Sequence, residues 1–364
     1  MYDQKWFRAG LWVLLAFAII WVGSQIEFIF RPLVVIVQTL FVPLLAAGVL
    51  FFLLRPPVQF LVSRKVPRAL AILLLYLLIA GFATIAALTV GPLVRGQFAQ
   101  LIEALPGFIE LAIAKTYELL RSEAFASFLA TSNIDPDALA EQASGYVMTV
   151  VDVVSRNLSN IVGFIANVFM IVLVVPFILF YFLKDGEKMF EGLIGLLPKR
   201  RQSEGRELLL ELDRTIGLFI QGQMTVAVSV GVMLLIGFEI IGLNYAVLLA
   251  FFAMITNVIP YLGAFLAAAP ALIVGLADSP QMALKVLLVT VIAQQIEGNL
   301  LSPWIMGKGL NIHPLTIILL LLVVGTLIGP VGLLFAIPGY AVLKIVAVYA
   351  MRWMRKGPED PIDA

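Results

Sequence analysis

The sequence predicts an all-α polytopic membrane protein, with about eight transmembrane or re-entrant helical segments and two broken hairpins in its C-terminal third. Three observations predict it. First, 62% of the 364 residues are hydrophobic and 13% are charged, with a mean hydropathy of +1.04. A soluble domain is nearer a quarter charged, so these charges are too few to cover a wetted surface. Second, apolar runs of about 20 residues recur along the chain, the length that crosses a hydrocarbon core. Third, lysines and arginines gather in alternate links between those runs, the pattern of cytoplasmic loops.

The first run covers 7–26, behind Lys5 and Arg8. It is longer than a signal peptide's apolar region and is read as a retained span. Further spans cover 33–54, 69–94, 158–183, 223–241 and 282–301. The link after 33–54 holds Arg55, Arg64, Lys65 and Arg68 and no acid. That end, and with it the N-terminus, is therefore expected in the cytoplasm. The segment 95–157 then lies outside, and it carries four basic residues against eight acidic ones. Lys184, Lys188, Lys199, Arg200 and Arg201 mark the return to the cytoplasm. The chain divides accordingly into N-terminal spans (1–94), an extracytoplasmic segment (95–157), a fourth span with a charged cytoplasmic helix (158–222), a C-terminal transport core (223–351) and a cytoplasmic tail (352–364).

The outer segment reads as helical. Phe98, Leu101, Leu105, Phe108 and Ala112 fall at spacings of three and four, one helical face. Asp135-Pro136 starts a second helix as N-cap and first turn, and Leu139, Ala143, Tyr146, Val147 and Val150 give it an apolar stripe. Such stripes pack on their own protein, lie on the membrane or contact a sister subunit. The mixed charges of 199–214 suit a solvated helix that anchors topology, with Lys199-Arg200-Arg201 as a site for anionic lipid in a second reading.

Two apolar stretches, 245–277 and 315–351, are too long and too interrupted for one span each. The first is broken by Asn257, Pro260, Gly263 and then Pro270. The second is broken by Gly325, Gly329, Pro330, Gly332 and then Pro338. Proline removes a backbone donor and glycine permits close bends, so both stretches are expected to break at midlength. Their shared rhythm resembles a weak internal repeat. If each folds back on itself, the basic C-terminal tail stays cytoplasmic, and oppositely inserted hairpins of this kind form transport sites. The alternative is that the prolines and glycines only kink ordinary spans.

Gln294, Gln295, Glu297 and Asn299 lie in or beside an otherwise apolar helix. A carboxylate at bilayer depth costs a few kcal/mol, so Glu297 is expected at a cavity, a cation or a partner. The competing reading places it at a helix end, orienting the turn that follows. Asn257 either caps a broken helix or faces the same cavity. His313, before Pro314, marks a helix start and is the one titrating candidate near neutral pH.

Other chemistries drop out. With one histidine and no cysteine neither a multi-histidine nor a thiolate metal site can form, and no cofactor or metal is expected. No GxxxxGK[ST] or GxSxG run occurs, so neither a nucleotide-driven motor nor a serine hydrolase is read. The net charge of +1 gives no footprint for nucleic acid.

One run of residues resembles a known family. Gln294-Gln295-Ile296-Glu297-Gly298-Asn299, Pro303, Met306-Gly307-Lys308, His313-Pro314-Leu315, Gly329–Gly332 and Ala336-Ile337-Pro338 are similar to the autoinducer-2 exporter family of bacterial membrane proteins. Asn257, Ile259 to Gly263, Pro270 and Tyr181 to Gly186 fit the same pattern. The resemblance implies a transporter in the bacterial cytoplasmic membrane, with both termini inside, assembled as a homo-oligomer. Members are associated with autoinducer-2 export and others with sodium/proton antiport. The resulting expectation is a secondary transporter, not an enzyme, that exports a small polar metabolite or signal such as autoinducer-2. A cation/proton antiporter and a non-transporting membrane scaffold are the alternatives. Glu297, Asn299, Gln294, Gln295 and Asn257 are the expected substrate or ion ligands, and the broken-stretch prolines and glycines the hinges.

Overall fold

The computed structural model describes residues 10–12, 14–15, 27–120, 145, 161–306 and 312–355, and all regular structure among them is helical. Most of the 7–26 run, the expected second outer helix after Asp135-Pro136, Lys308 and the tail from 356 lie outside the described residues. Five of the described helices are long and apolar enough to cross a membrane: Gln38–Ser63, Arg68–Thr89, Lys199–Ile241, Pro280–Ile305 and Gly332–Trp353.

Helix α1 (Glu27–Ser63) passes beyond the expected end at Leu54, through Arg55, Pro56 and Pro57. Tertiary contacts hold the prolines in the helix. Val58 is buried against a neighbouring helix bundle, and Nη1 of Arg55 donates to both carboxylate oxygens of Asp213 at 2.7 Å. The basic link therefore shrinks to the turn before Pro67, the N-cap of α2 (Arg68–Thr89). With α4 (Ile161–Gly195), these helices bury Ala47, Val58, Ala71, Ile72, Val175, Leu179 and Leu183 as one apolar cluster.

Helix α3 (Gly91–Leu120) follows α2 after a single residue, Val90. Its Leu101 packs against the C-terminal core. Its Gln97 accepts from the Leu248 backbone N–H at 3.0 Å, satisfying a donor that a helix start leaves orphaned. Leu101 of the first outer stripe thus packs on its own chain, while Phe98 is 41% exposed.

A 3-10 turn at Lys199–Arg201 leads into α5 (Gln202–Ile241). The expected charged helix and the expected span 223–241 are one continuous helix of 40 residues. At 1.5 Å per residue it is about 60 Å long, twice a hydrocarbon core. It stops at Gly242, whose φ of 73° lets its N–H and that of Leu243 return to the Glu239 and Phe238 carbonyls.

The first broken stretch is a helix pair, α6 (Ala246–Thr256) and α7 (Leu262–Asp278), which pack on each other. The break falls at 257–261, ahead of Gly263, where a Cβ would run into the Thr256 carbonyl and the Asn257 backbone. Ser279 then caps α8 (Pro280–Ile296), accepting from the Met282 N–H with proline at the first turn. A π turn, Glu297–Leu301, joins α8 to the short α9 (Ser302–Met306).

The second stretch pairs α10 (Pro314–Ile328) with α11 (Pro330–Arg355) around Gly329, at φ 80°. Gly332 takes the part of Gly263, since a Cβ there would meet Val324 and Ile328 on the preceding helix, α10. The prolines divide into two kinds. Pro260 and Pro330 sit at the breaks, whereas α7 and α11 run through Pro270 and Pro338. The arms also differ, because α6 is too short to cross a membrane and the Gly332–Trp353 part of α11 is long enough.

The Arg55–Asp213 pair joins α1 to α5 with both side chains about two-thirds buried (36% and 32% exposed). Asp213→Asn is expected to cost about 1 kcal/mol and lower the unfolding midpoint by about 2 °C in detergent. Arg68→Gln, which breaks the exposed Arg68–Glu187 contact, is expected to leave that midpoint unchanged. Equal shifts for the two variants would show that α1 is not clamped to α5 in this way.

Candidate functional site

A cavity of about 820 Å³ opens between the first half of α5, the start of α7, the π turn, α10 and α11. Its walls are mostly apolar, including Phe219, Ile312, Ile317, Ile337, Ala341 and Val348. Polar groups gather at its two ends. Toward the start of α5 and the end of α11 stand Glu211, Lys344, Tyr349 and Arg352. There the Tyr349 hydroxyl donates to Glu211 Oε2 at 3.0 Å, and the Arg352 guanidinium lies 5.2 Å from the centre of the Tyr349 ring. At the inner end stand Gln223, Gln294 and Glu297.

The inner end is built by two interruptions of helical geometry. Glu297 opens the π turn, a distortion that frequently accompanies functional sites. Asn257 sits where α6 breaks, and Gln223 Nε2 on α5 donates to its backbone carbonyl at 2.7 Å. Asn257 is only 2% exposed, and among the described residues neither polar atom of its carboxamide, nor the buried Oε2 of Glu297, closes a well-formed hydrogen bond. Asn257 and Gln294 stand beside the Glu297 carboxylate. Burying an unpartnered amide costs on the order of 1–3 kcal/mol, so a cluster of this kind is poised to receive donors and acceptors from a ligand. Tyr261 also lines the cavity. Its φ of 63° is left-handed, which is strained for a bulky residue, and strain of that sort concentrates at ligand sites.

The expected ligands separate into two groups. Gln294, Glu297 and Asn257 are brought together, with the first two on the cavity wall. Gln295 and Asn299 share a different helical face, where Asn299 Nδ2 donates to Gln295 Oε1 at 2.9 Å, and both are exposed. His313 caps α10, its Nδ1 accepting from the Leu315 N–H at 3.3 Å. Of the hinge set, Pro260 lines the cavity. Gly263, Gly329 and Gly332 shape the two helix pairs around it.

Several site residues were not singled out from sequence. Gln223 passes there as the first residue of a span, although a glutamine at both 221 and 223 is a polar interruption of an apolar helix. Lys344 is likewise a lone cation within the apolar run of α11. Glu211 falls in the charged stretch 199–214, Tyr349 in the apolar stretch 315–351 and Arg352 in the tail, and only packing of α5 on α11 places them at one cavity mouth.

The family model described as "AI-2E family transporter" matches residues 11–352. The chain belongs to this family. Among its relatives, the Bacillus subtilis (strain 168) protein named "Putative transport protein YueF" is 39% identical over 345 residues, covering 95% of this chain and 93% of that protein. "Putative transport protein YrrI" of the same organism is 32% identical over 357 residues, covering 96% and 98%. "Putative permease PerM" of Escherichia coli (strain K12) is 32% identical over 310 residues, covering 84% and 86%. Like these relatives, this AI-2E family member is a membrane protein of the transport class.

Proposed function

We propose that the chain is a secondary transporter that exports a small polar metabolite or signal, such as autoinducer-2, through the cavity ending at Glu297. The observation that carries this reading is the cavity itself. Its volume of about 820 Å³ suits a small molecule, and its polar groups gather at the two ends of mostly apolar walls. The chain is further proposed to lie in the bacterial cytoplasmic membrane with both termini inside, to assemble as a homo-oligomer, and to use the two helix pairs as re-entrant or rocking elements. The alternation of basic links supports the orientation. A packed scaffold would need no such cavity.

A second reading, cation/proton antiport, draws on one observation. Glu297 is a carboxylate flanked by the amides of Asn257 and Gln294, a set that holds a proton or a small cation. Purified protein in liposomes separates the readings. Export predicts autoinducer-2 flux that persists, at reduced rate, in Glu297→Gln. Antiport predicts sodium- or pH-driven proton movement that this substitution abolishes. Protein-containing liposomes that move neither would leave the scaffold reading standing.

A further inference from the structure

Past Gln294 and Asn257 the cavity gives way to a narrow seam that has no room for a water molecule. The seam follows the second half of α5, past Val230, Leu234 and Phe238, whereas the cavity follows the first half, from Glu211 to Gln223. Gln294 lines both, so the two lie end to end. Four helices ring the seam: α5 packs on α6, α6 on α7, α7 on α8, and α8 back on α5.

A plain four-helix core would be apolar throughout. This one carries Asn257, 2% exposed with a carboxamide that closes no well-formed hydrogen bond among the described residues, and Thr290, 7% exposed with its hydroxyl turned back to the Val286 carbonyl at 2.8 Å. Polar groups continuing from the cavity into a dry seam mark a path that is shut. The ring also has one joint unlike the others. The joints α5–α6, α6–α7 and α7–α8 each connect neighbours in the chain by at most five residues. No such link ties α5 to α8, and theirs is the least extensive contact of the four.

We infer that this seam is the closed half of the transport route, gated by Leu234 and Phe238, and that it opens by separation of α5 from α8. The inference rests on the transport reading above. Leu234 and Phe238 are both 2% exposed and project from α5 one turn apart, so together they fill the ring over the length of the seam. Opening α5 from α8 would withdraw both from the face that carries Thr290 and Gln294, joining the cavity to the far side.

A cross-link tests this. A Cβ built on Gly237, next to Phe238, lies 3.6 Å from the Val289 Cβ, beside Thr290. That spacing suits a disulfide, and the Val289→Cys change removes the branch that would crowd it. Gly237→Cys/Val289→Cys, in a chain with no other cysteine, is reconstituted and assayed for autoinducer-2 and for sodium- or pH-driven proton flux. Oxidation is expected to cut flux at least about tenfold, and reductant to restore it. Phe238→Ala, which leaves positions 237 and 289 untouched, is expected to raise downhill solute leak about threefold or more. An oxidised, cross-linked protein that transports at its reduced rate overturns the gate, as does a Phe238→Ala protein with unchanged leak. Wild-type protein that moves neither probe takes down the transport reading and the gate with it. Wild-type flux with an indifferent disulfide removes the gate alone.

Discussion

Glu297→Ala is expected to reduce transport by about 10- to 100-fold, whereas Asn299→Ala, two residues away, changes it by less than about twofold. The sequence offers both as ligands in one polar run. The structure puts Glu297 on the cavity wall beside Asn257 and Gln294. Asn299 is left exposed on another face, bonded to Gln295. A hydrogen bond to a charged group contributes about 1.5–3 kcal/mol, which sets the size of the loss when the carboxylate is removed from a bound solute. Asn257→Ala should follow Glu297→Ala in direction, since its carboxamide stands beside the Glu297 carboxylate. Initial rates in proteoliposomes, normalised to the amount of folded protein, measure the series. Equal losses for Glu297→Ala and Asn299→Ala would mean that the two faces of the π turn do not differ in function.

Gly263→Val is expected to prevent folding of the α6–α7 pair, at a cost of about 3 kcal/mol or more. The added side chain would meet backbone, the Thr256 carbonyl and Asn257, and backbone at a helix break cannot rotate aside as a side chain can. The damage would spread to the site, because the same break places Asn257 against Gln223. Gly298→Ala is the control. It lies in the π turn next to Glu297, and a Cβ there would meet nothing within 4 Å. Yield of monodisperse protein and its unfolding temperature report the outcome. Normal folding of Gly263→Val would show that α6 and α7 do not approach as closely as described.

How much of this was legible in the sequence follows from the physics of each signal. Apolar length and basic links act locally, so the spans at 69–94 and 282–301 correspond to helices within a few residues. The breaks at Pro260 and Gly329-Pro330 were legible for the same reason, since a missing donor and a backbone needing positive φ act where they stand. The end of α1 was not. Pro56 and Pro57 should stop a helix, but the Arg55–Asp213 pair and buried Val58 hold the backbone helical through them, and Asp213 lies 158 residues away. Likewise the sequence does not show that α7 and α11 continue through Pro270 and Pro338. Glu297 stood out because an acid in a span is rare. The pairing of Gln294 with Glu297 and of Gln295 with Asn299 was legible as well, from helical spacings of three and four, but not which of the two pairs meets the cavity. Glu211 and Tyr349 meet only through packing of α5 against α11.

The central claim is that a wetted cavity penetrates the helix bundle as far as Glu297. Because the native chain has no cysteine, single cysteines report this directly in intact membrane vesicles of known orientation. Ser302→Cys and Val348→Cys, which line the cavity and are partly exposed, should react with a membrane-impermeant thiol reagent from one face of the membrane only. Phe265→Cys, 76% exposed on the outer face of α7, should react from neither, because lipid covers it. Cavity cysteines that stay unreactive from both faces, in protein that folds normally, would contradict the account.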